Sequence, residues 1–218
     1  FSGGSALRGI CSELVKYTHN SIHIVTPFDS GGSSAVLRKA FNMPAIGDIR
    51  NRLLALADKS VKGYPEIFKL FDYRFSKKKT QRTLQKELDQ MIKGHHKLVQ
   101  PIPDPMRKII RQHLEYFNQK KPDDFNLQKA SIGNLVLTAG YLQNNRNFDV
   151  IIYIFSSLVQ VRGIVRPVVN KDLDLAVELE DGTQLVSQHL FSGKEASPIA
   201  FPIRALELSK DSDQLSPV

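Results

Sequence analysis

Glycine and small polar residues recur in four short motifs, each just before a segment with the apolar spacing of a helix. Glycine lets the backbone approach a phosphate closely, and the free N–H groups at a helix start bind anions. The motifs are Phe1-Ser2-Gly3-Gly4-Ser5-Ala6, Asp29-Ser30-Gly31-Gly32-Ser33-Ser34, Ile46-Gly47-Asp48-Ile49-Arg50-Asn51 and Ser131-Ile132-Gly133-Asn134-Leu135. Each alone is typical of an ordinary turn, and none is a G-x-G-x-x-G or P-loop motif. Together they favour convergence on one phosphorylated ligand.

The carboxylate of Asp29 follows an apolar, β-branched run, Ile22–Thr26, that predicts a buried strand. Open α/β sheets bind their ligands at the carboxyl ends of their strands. Asp29 in that place can hydrogen-bond a ribose or base, hold a metal ion, or act as a base. The alternative is that its side chain only caps a turn.

Two asparagines lie near predicted helix starts. Asn51 and Asn134 each precede an apolar helical pattern, and an amide there can contact a ribose, a phosphate or a base edge. A capping role is the alternative for either one. We expect Ser131 to cap the helix that contains Gly133 and Asn134, and Asp48 to cap the helix that contains Asn51.

The elements that carry these motifs predict an α/β fold. Helices alternate with strands at Ile22–Thr26 and Ile164–Val169, which favours a mainly parallel sheet covered on both faces, a Rossmann-like three-layer sandwich. The alternating residues Leu173–Leu179, the turn Glu180-Asp181-Gly182-Thr183 and Leu185-Val186 predict a late β-hairpin. From Pro198 we expect a polar tail.

The middle of the chain differs in charge. Residues 59–121 carry 16 Lys and Arg against 6 Asp and Glu, whereas the whole chain of 218 residues has a net charge of +8. We divide the chain into an N-terminal part of the nucleotide-binding domain (1–59), a basic helical insertion or cap (60–125) and an α/β continuation (126–218). Helices are predicted over Tyr64–Ile92 and Met106–Phe117.

Two interpretations of the positive charge of this segment are open. The first is a solvated helix face at Lys77-Lys78-Lys79. The second is a basic wall that attracts an anionic substrate or RNA, although no aromatic interleaving or nucleic-acid motif supports RNA. One cysteine, Cys11, excludes an internal disulfide, and the absence of an apolar run of membrane-span length excludes a membrane-spanning class. With no signal-peptide pattern at the N-terminus, we expect a cytoplasmic protein.

The four motifs, with Ile24-Val25-Thr26 and Val161-Arg162-Gly163-Ile164-Val165-Arg166-Pro167, resemble the CofD-like family in order and spacing. That family contains 2-phospho-L-lactate transferases and gluconeogenesis-factor regulators. The resemblance implies a Rossmann-like fold and nucleotide-type ligands: guanosine phosphates in the transferases and UDP-sugars in the regulators.

By position, the resemblance implies a role for each motif. Gly3, Gly4 and Ser5 match the phosphate loop, and Asp29 matches an acidic residue near the acceptor and metal. Gly31, Gly32, Ser33, Asn51, Ser131, Gly133 and Asn134 fall on its other ligand-binding motifs. Ser30 stands where the family usually has a second Asp.

Two functions remain open at this point. One is a transferase in which Asp29, with Mg²⁺, helps an acceptor hydroxyl attack a nucleoside diphosphate donor. The other is a non-catalytic sensor that binds a UDP-sugar and acts on a protein partner, and Ser30 favours it. We also expect a homo-oligomer.

Overall fold

The computed structural model describes residues 7–60, 62–192 and 197–209. The first glycine motif, with Gly3, Gly4 and Ser5, therefore lies outside the described residues. The helices are α1 Arg8–Leu14, α2 Gly32–Phe41, α3 Gly47–Leu56, α4 Tyr64–Asp72, α5 Gln81–Lys93, α6 Met106–Lys120, α7 Ile132–Gln143 and α8 Phe148–Leu158. The strands are β1 Ile22–Val25, β2 Ile164–Pro167, β3 Asp174–Leu179, β4 Gln184–Val186 and β5 Ile203–Ser209.

A parallel pair of strands sets the orientation of the site. β1 and β2 pair in register from Ile22 with Ile164 to Val25 with Pro167. β1 and β2 contact α3, and β2 also contacts α8. The predicted α/β fold class, with its parallel sheet, helical segment and late hairpin, is confirmed. Because the strands are parallel, the loop after β1 and the loop after β2 leave the sheet at the same edge.

The late strands form a separate antiparallel sheet in the order β4-β3-β5. The predicted hairpin is confirmed, and its turn is closed by the Leu179 N–H on the Thr183 carbonyl at 2.8 Å. The expected polar tail is wrong over Ile203–Ser209, which pairs with β3. Arg204 and Glu207 interrupt its apolar residues, so the strand depends on backbone pairing with a distant segment rather than on a strong local pattern.

The segment predicted as one helix over Tyr64–Ile92 forms two helices, α4 and α5. Between them the chain runs extended beside the residues before α7, with the Phe75 N–H on the Ala130 carbonyl at 3.0 Å. Helix α5 begins after Thr80, because the Thr80 hydroxyl caps it by accepting a hydrogen bond from the Thr83 N–H at 3.3 Å. α5 ends at Gly94, whose φ of 80° favours glycine.

The basic segment shares the hydrophobic core with the rest of the chain. α6 packs on α7, and the Phe117 ring contacts Phe41 of α2 at 5.7 Å and Phe125 at 5.4 Å between centroids. Lys77, Lys78 and Lys79 are exposed. The three charges are therefore exposed to solvent as predicted, but they lie in the turn between α4 and α5 and not on a helix face. Within the described residues, every helix is too short or too polar to cross a membrane.

Candidate functional site

Three helices begin at one place in the fold. A Cβ atom built on Gly47, at the start of α3, would lie 2.6 Å from Ser34 Oγ in the first turn of α2. The same atom would lie 3.5 Å from Asp29 Oδ2 and 3.8 Å from Asn134 Nδ2 in the first turn of α7. The second, third and fourth motifs thus meet around Gly47. We call this group (Asp29, Gly31–Ser34, Gly47, Ser131 and Asn134) the helix-start site.

The Asp29 side chain takes part both in a turn and in the site. Its Oδ1 accepts the Gly31 N–H at 3.1 Å, which is the turn contact that the sequence offered as an alternative. Its Oδ2 faces Gly47. Gly31 precedes α2 without a side-chain cap, and Gly32 has a φ of 49°, in the left-handed region that favours glycine. The loop therefore uses one carboxylate oxygen in its own turn and presents the other, Oδ2, to the start of α3.

Polar groups at the start of α7 are buried and incompletely paired. Ser33 Oγ accepts from the Ser131 N–H at 3.2 Å and from Asn134 Nδ2 at 3.4 Å, which leaves the Ser33 hydroxyl proton to donate. Asn134 is 1% exposed, and its Oδ1 has no hydrogen-bond partner within the described part of the chain. An unpaired buried carbonyl costs about 1–3 kcal/mol. A ligand donor would remove that cost.

Arg50 is a buried arginine beside the site that the sequence motifs do not single out as functional. Arg50 is 4% exposed. Its guanidinium donates from Nη1 to Ser131 Oγ and from Nη2 to Asn51 Oδ1 at 2.8 Å. Burial, followed by the nearby charge of Arg74, lowers the pKa of Arg50 to about 10, so it stays charged at neutral pH. In the sequence, Arg50 is visible only as an arginine next to the apolar Ile49. Its hydrogen-bond partner Ser131 lies 81 positions away, so no local pattern indicates the contact.

The remaining predicted residues take different places. Asn51 contacts Arg50, and within the described residues its side chain has no hydrogen bond to a member of the helix-start site. Gly133 has a packing role, since a Cβ there would lie 2.8 Å from Arg50 Cδ and 2.9 Å from the Phe71 carbonyl oxygen. The capping prediction for Asp48 is wrong: α3 begins at Gly47, and Asp48 lies buried in its first turn. Ser131 has the N-cap position but its side chain makes no capping bond; its hydroxyl contacts the Phe71 carbonyl at 3.3 Å.

A divalent cation would find oxygen donors but no complete set of protein ligands. No group of three His, Cys, Asp or Glu side chains suited to a metal occurs within 7–60, 62–192 and 197–209. Asp29 Oδ2 and Ser34 Oγ do lie around Gly47. Mg²⁺ is commonly bound by one or two carboxylates with substrate phosphates and water. These residues fit Mg²⁺ only when it is shared with a phosphorylated ligand.

The helix-start site is joined to the antiparallel sheet on one side. Ser30 Oγ accepts the His189 N–H at 3.0 Å and lies 2.9 Å from His189 Nδ1, in the 3-10 turn after β4. On α2, Arg38 donates to Asp172 at 2.9 Å and to Asp174 at 2.9 Å. The residue next to Asp29 is therefore held by a segment that is remote in sequence.

The family model described as 2-phospho-L-lactate transferase CofD matches residues 1–217. This chain therefore belongs to the CofD family of α/β proteins. Within it, a putative gluconeogenesis factor of Thermoanaerobacterium thermosulfurigenes is 31% identical over 202 residues, 90% of this chain and 46% of the relative. The gluconeogenesis factor of Listeria monocytogenes is 29% identical over 83% of this chain and 40% of its own length.

Solved structures agree with this assignment. The crystal structure of a UPF0052-family protein from Bacillus halodurans matches with a TM-score of 0.64 and 26% identity, over 96% of this chain and 50% of that chain. The chain spans half or less of the length of each of these relatives. The resemblance to the CofD-like family and its gluconeogenesis-factor branch is thus confirmed.

Proposed function

We propose that the helix-start site binds the diphosphate of a nucleotide or nucleotide sugar. The observation that carries this proposal is the meeting of the first turns of α2, α3 and α7 around Gly47. Each helix start carries about half a positive charge and N–H groups that point along its axis. The hydroxyl of Ser33 and the unpaired Oδ1 of Asn134 supply one donor and one acceptor for the rest of the ligand.

Ligand sensing is the activity that we favour for this site. Ser30 stands in place of a second carboxylate, and its hydroxyl is already bonded to His189. That bond offers a physical connection between a bound ligand and the antiparallel sheet, which in turn can contact a protein partner. The relatives described above carry the name gluconeogenesis factor. We therefore propose a nucleotide-sugar-binding regulator.

Group transfer is the second candidate, and Asp29 supports it. Its Oδ2 is directed toward Gly47, where the phosphates of a donor would lie. There it can accept the proton of an acceptor hydroxyl as the hydroxyl oxygen attacks phosphorus and the nucleoside monophosphate leaves. Mg²⁺, held by Asp29 and the phosphates, would offset charge on the phosphoryl oxygens.

A thermal-shift panel tests the proposal. The chain is heated with GDP, UDP and UDP-N-acetylglucosamine, each with and without Mg²⁺. A ligand at about 100 times its Kd adds roughly 2.7 kcal/mol to the free energy of unfolding and raises Tm by a few degrees. A metal-independent shift with the UDP-sugar supports the regulator, and a Mg²⁺-dependent shift with GDP supports the transferase. No shift with any of them contradicts the proposal.

The substitution Asp29→Asn separates the two activities. In a transferase it removes the base and metal ligand, so turnover falls by at least about a hundredfold, and only the Mg²⁺-independent part of ligand binding is retained. In a regulator whose ligand donates a ribose or sugar hydroxyl to Asp29, it weakens ligand affinity by several-fold, because a charged acceptor becomes a neutral one. Glu115→Gln, on the exposed side of α6, is the control for the same change of net charge. An unchanged rate and an unchanged Kd would remove Asp29 from both roles.

A further inference from the structure

A cavity of about 330 Å³ adjoins the helix-start site between α2 and the residues before α7. Gly32 and Ser33 form its border with the helix-start site, and Val36, Phe125 and Ala130 form the apolar part of its wall. Its volume is at the lower end of the range for small-molecule sites. It therefore has room for one part of a nucleotide-sized ligand rather than for the whole.

The polar groups on its wall differ in whether they are already bonded. Asn126 Oδ1 accepts the Gln128 N–H at 2.8 Å, and Gln128 Nε2 donates to the Lys79 carbonyl at 3.0 Å. By contrast, the Ser33 hydroxyl proton remains to be donated, and the exposed Lys129 ammonium makes no hydrogen bond within the described part of the chain. The donors left for a ligand therefore include one hydroxyl at the border, the Asn126 Nδ2 amide on the wall and one cation at the rim.

Lys129 is held at this rim in an unfavourable backbone conformation. Its φ is 60°, in the left-handed region, and its N–H is bonded to the Phe75 carbonyl at 3.0 Å. A side chain other than glycine costs free energy there, and such strain is often found at functional sites. Glycine would fit the backbone better but would bring no charge to the cavity.

We propose that this cavity is the subsite for the heterocyclic base of the ligand whose diphosphate lies at the helix-start site. The planar ring would pack against Val36, Phe125 and Ala130, and Lys129 would donate to a carbonyl oxygen of the base. This inference rests on the proposed function. It adds that affinity for a carbonyl-bearing base, such as uracil or guanine, comes from this cavity.

Filling the cavity tests the inference. Kd values are measured by isothermal titration for UDP, GDP and inorganic pyrophosphate with the wild-type chain and with Val36→Trp. Val150→Trp on α8 is the matched control, because Val150 is 37% exposed and Val36 is 40% exposed. We expect UDP or GDP to bind the wild type at least about tenfold more tightly than pyrophosphate. Val36→Trp should abolish that advantage and leave pyrophosphate binding unchanged, and Val150→Trp should change neither.

The outcomes separate the two proposals. If pyrophosphate binds the wild type and neither nucleotide binds more tightly, the base subsite is wrong and the diphosphate site stands. If Val36→Trp retains the full advantage of the nucleotide, the subsite is also wrong. If none of the three probes binds the wild type, the proposed function is wrong, and the base subsite that rests on it is wrong as well.

Lys129→Gly separates charge from backbone strain. It should raise Tm because glycine adopts a positive φ without cost, and it should weaken nucleotide binding about tenfold, since a hydrogen bond from a charged group is lost. Gln160→Gly is the control: Gln160 is exposed, has a φ of 46° and does not line the cavity. It should raise Tm without changing any Kd. A Lys129→Gly variant with wild-type affinity for the nucleotide would overturn the role of Lys129.

Discussion

Helices α5 and α7 differ in how well they follow local rules. α5 has a Thr80 cap at its start, Gly94 after its end, and one buried stripe of Leu84, Leu88 and Met91 with polar residues outside. α7 is buried from Ile132 to Tyr141 and begins without a side-chain cap bond. The cap, the final glycine and the buried stripe of α5 each have an evident structural reason, whereas the start of α7 contains polar groups that packing alone does not explain.

The contrast separates stability from function. Natural proteins depart from good capping and complete polar pairing mostly at functional sites. Asn134 Oδ1 and Thr138 Oγ1 on α7 are buried without a partner in the described part of the chain. Only Asn134 lies at the site, near Asp29 and Ser34 around Gly47. Substitution of the unpaired Asn134 amide should therefore change ligand affinity, whereas substitution of the α5 cap or of the close-packed positions of α7 should change stability.

Gly133→Ala on α7 should have the largest effect. The Cβ of the new alanine would lie 2.8 Å from Arg50 Cδ and 2.9 Å from the Phe71 carbonyl oxygen. That oxygen belongs to the backbone of α4, so it can move only if the helix moves. We expect a loss of about 2–3 kcal/mol in the free energy of unfolding, measured by denaturant titration. Gly9→Ala on α1, where nothing lies within 4 Å, is the control and should be neutral or stabilising. Equal stability of the two variants would show that Gly133 is not a close-packing position.

Asn134→Leu should instead affect ligand binding. The substitution removes the unpaired Oδ1 and one 3.4 Å bond to Ser33, so we expect the free energy of unfolding to change by less than about 1 kcal/mol. Nucleotide affinity should fall at least about tenfold, because a ligand donor would lose its acceptor in a buried site. Isothermal titration and denaturant titration on the same sample measure both quantities. Wild-type affinity would exclude Asn134 from the ligand.

Thr80→Ala on α5 should show the opposite pattern. It removes the cap bond to the Thr83 N–H and should cost about 1 kcal/mol of stability. Ligand affinity should stay the same, since α5 lies outside the helix-start site. Thr80→Ser retains the hydroxyl and is the control. A loss of affinity with Thr80→Ala alone would contradict the separation between the two helices.

Thr138→Val on α7 should have the smallest effect. It replaces a buried hydroxyl that has no partner among the described residues with a methyl group of similar shape. The stability should be unchanged or higher by up to about 1 kcal/mol, with the same ligand affinity. A destabilisation of more than about 1 kcal/mol in thermal unfolding would show that the hydroxyl has a partner after all.

The parts of the site that could be predicted from the sequence are those encoded locally. Asp29, Gly31–Ser34, Gly47 and the 131–134 motif each pair glycine or a small polar residue with a helix start, and that pattern is visible within six residues. The roles of Arg50 and Ser30 were not predictable, since Arg50 bonds to Ser131 and Ser30 bonds to His189, 159 positions away. Only the folded chain brings those pairs together.

The elements of the fold likewise divide into those that local sequence predicts and those that depend on distant contacts. The hairpin turn Glu180–Thr183 and the strand β1 follow from turn chemistry and β-branched runs. β5 has charged residues between its apolar ones, so its pairing with β3 over long range decides its structure. The break between α4 and α5 was visible in the capping residue Thr80, but the apolar spacing on both sides of it suggested one helix.

Amide NMR of the chain titrated with UDP and GDP tests directly whether ligands bind where α2, α3 and α7 begin. We predict saturable shifts of the backbone N–H signals of Gly32, Gly47 and Asn134, with the signals of Leu84–Lys93 on α5 unchanged. Shifts confined to α5 and to the exposed lysines 77–79 would show instead that the basic segment attracts the ligand, and would contradict the helix-start site.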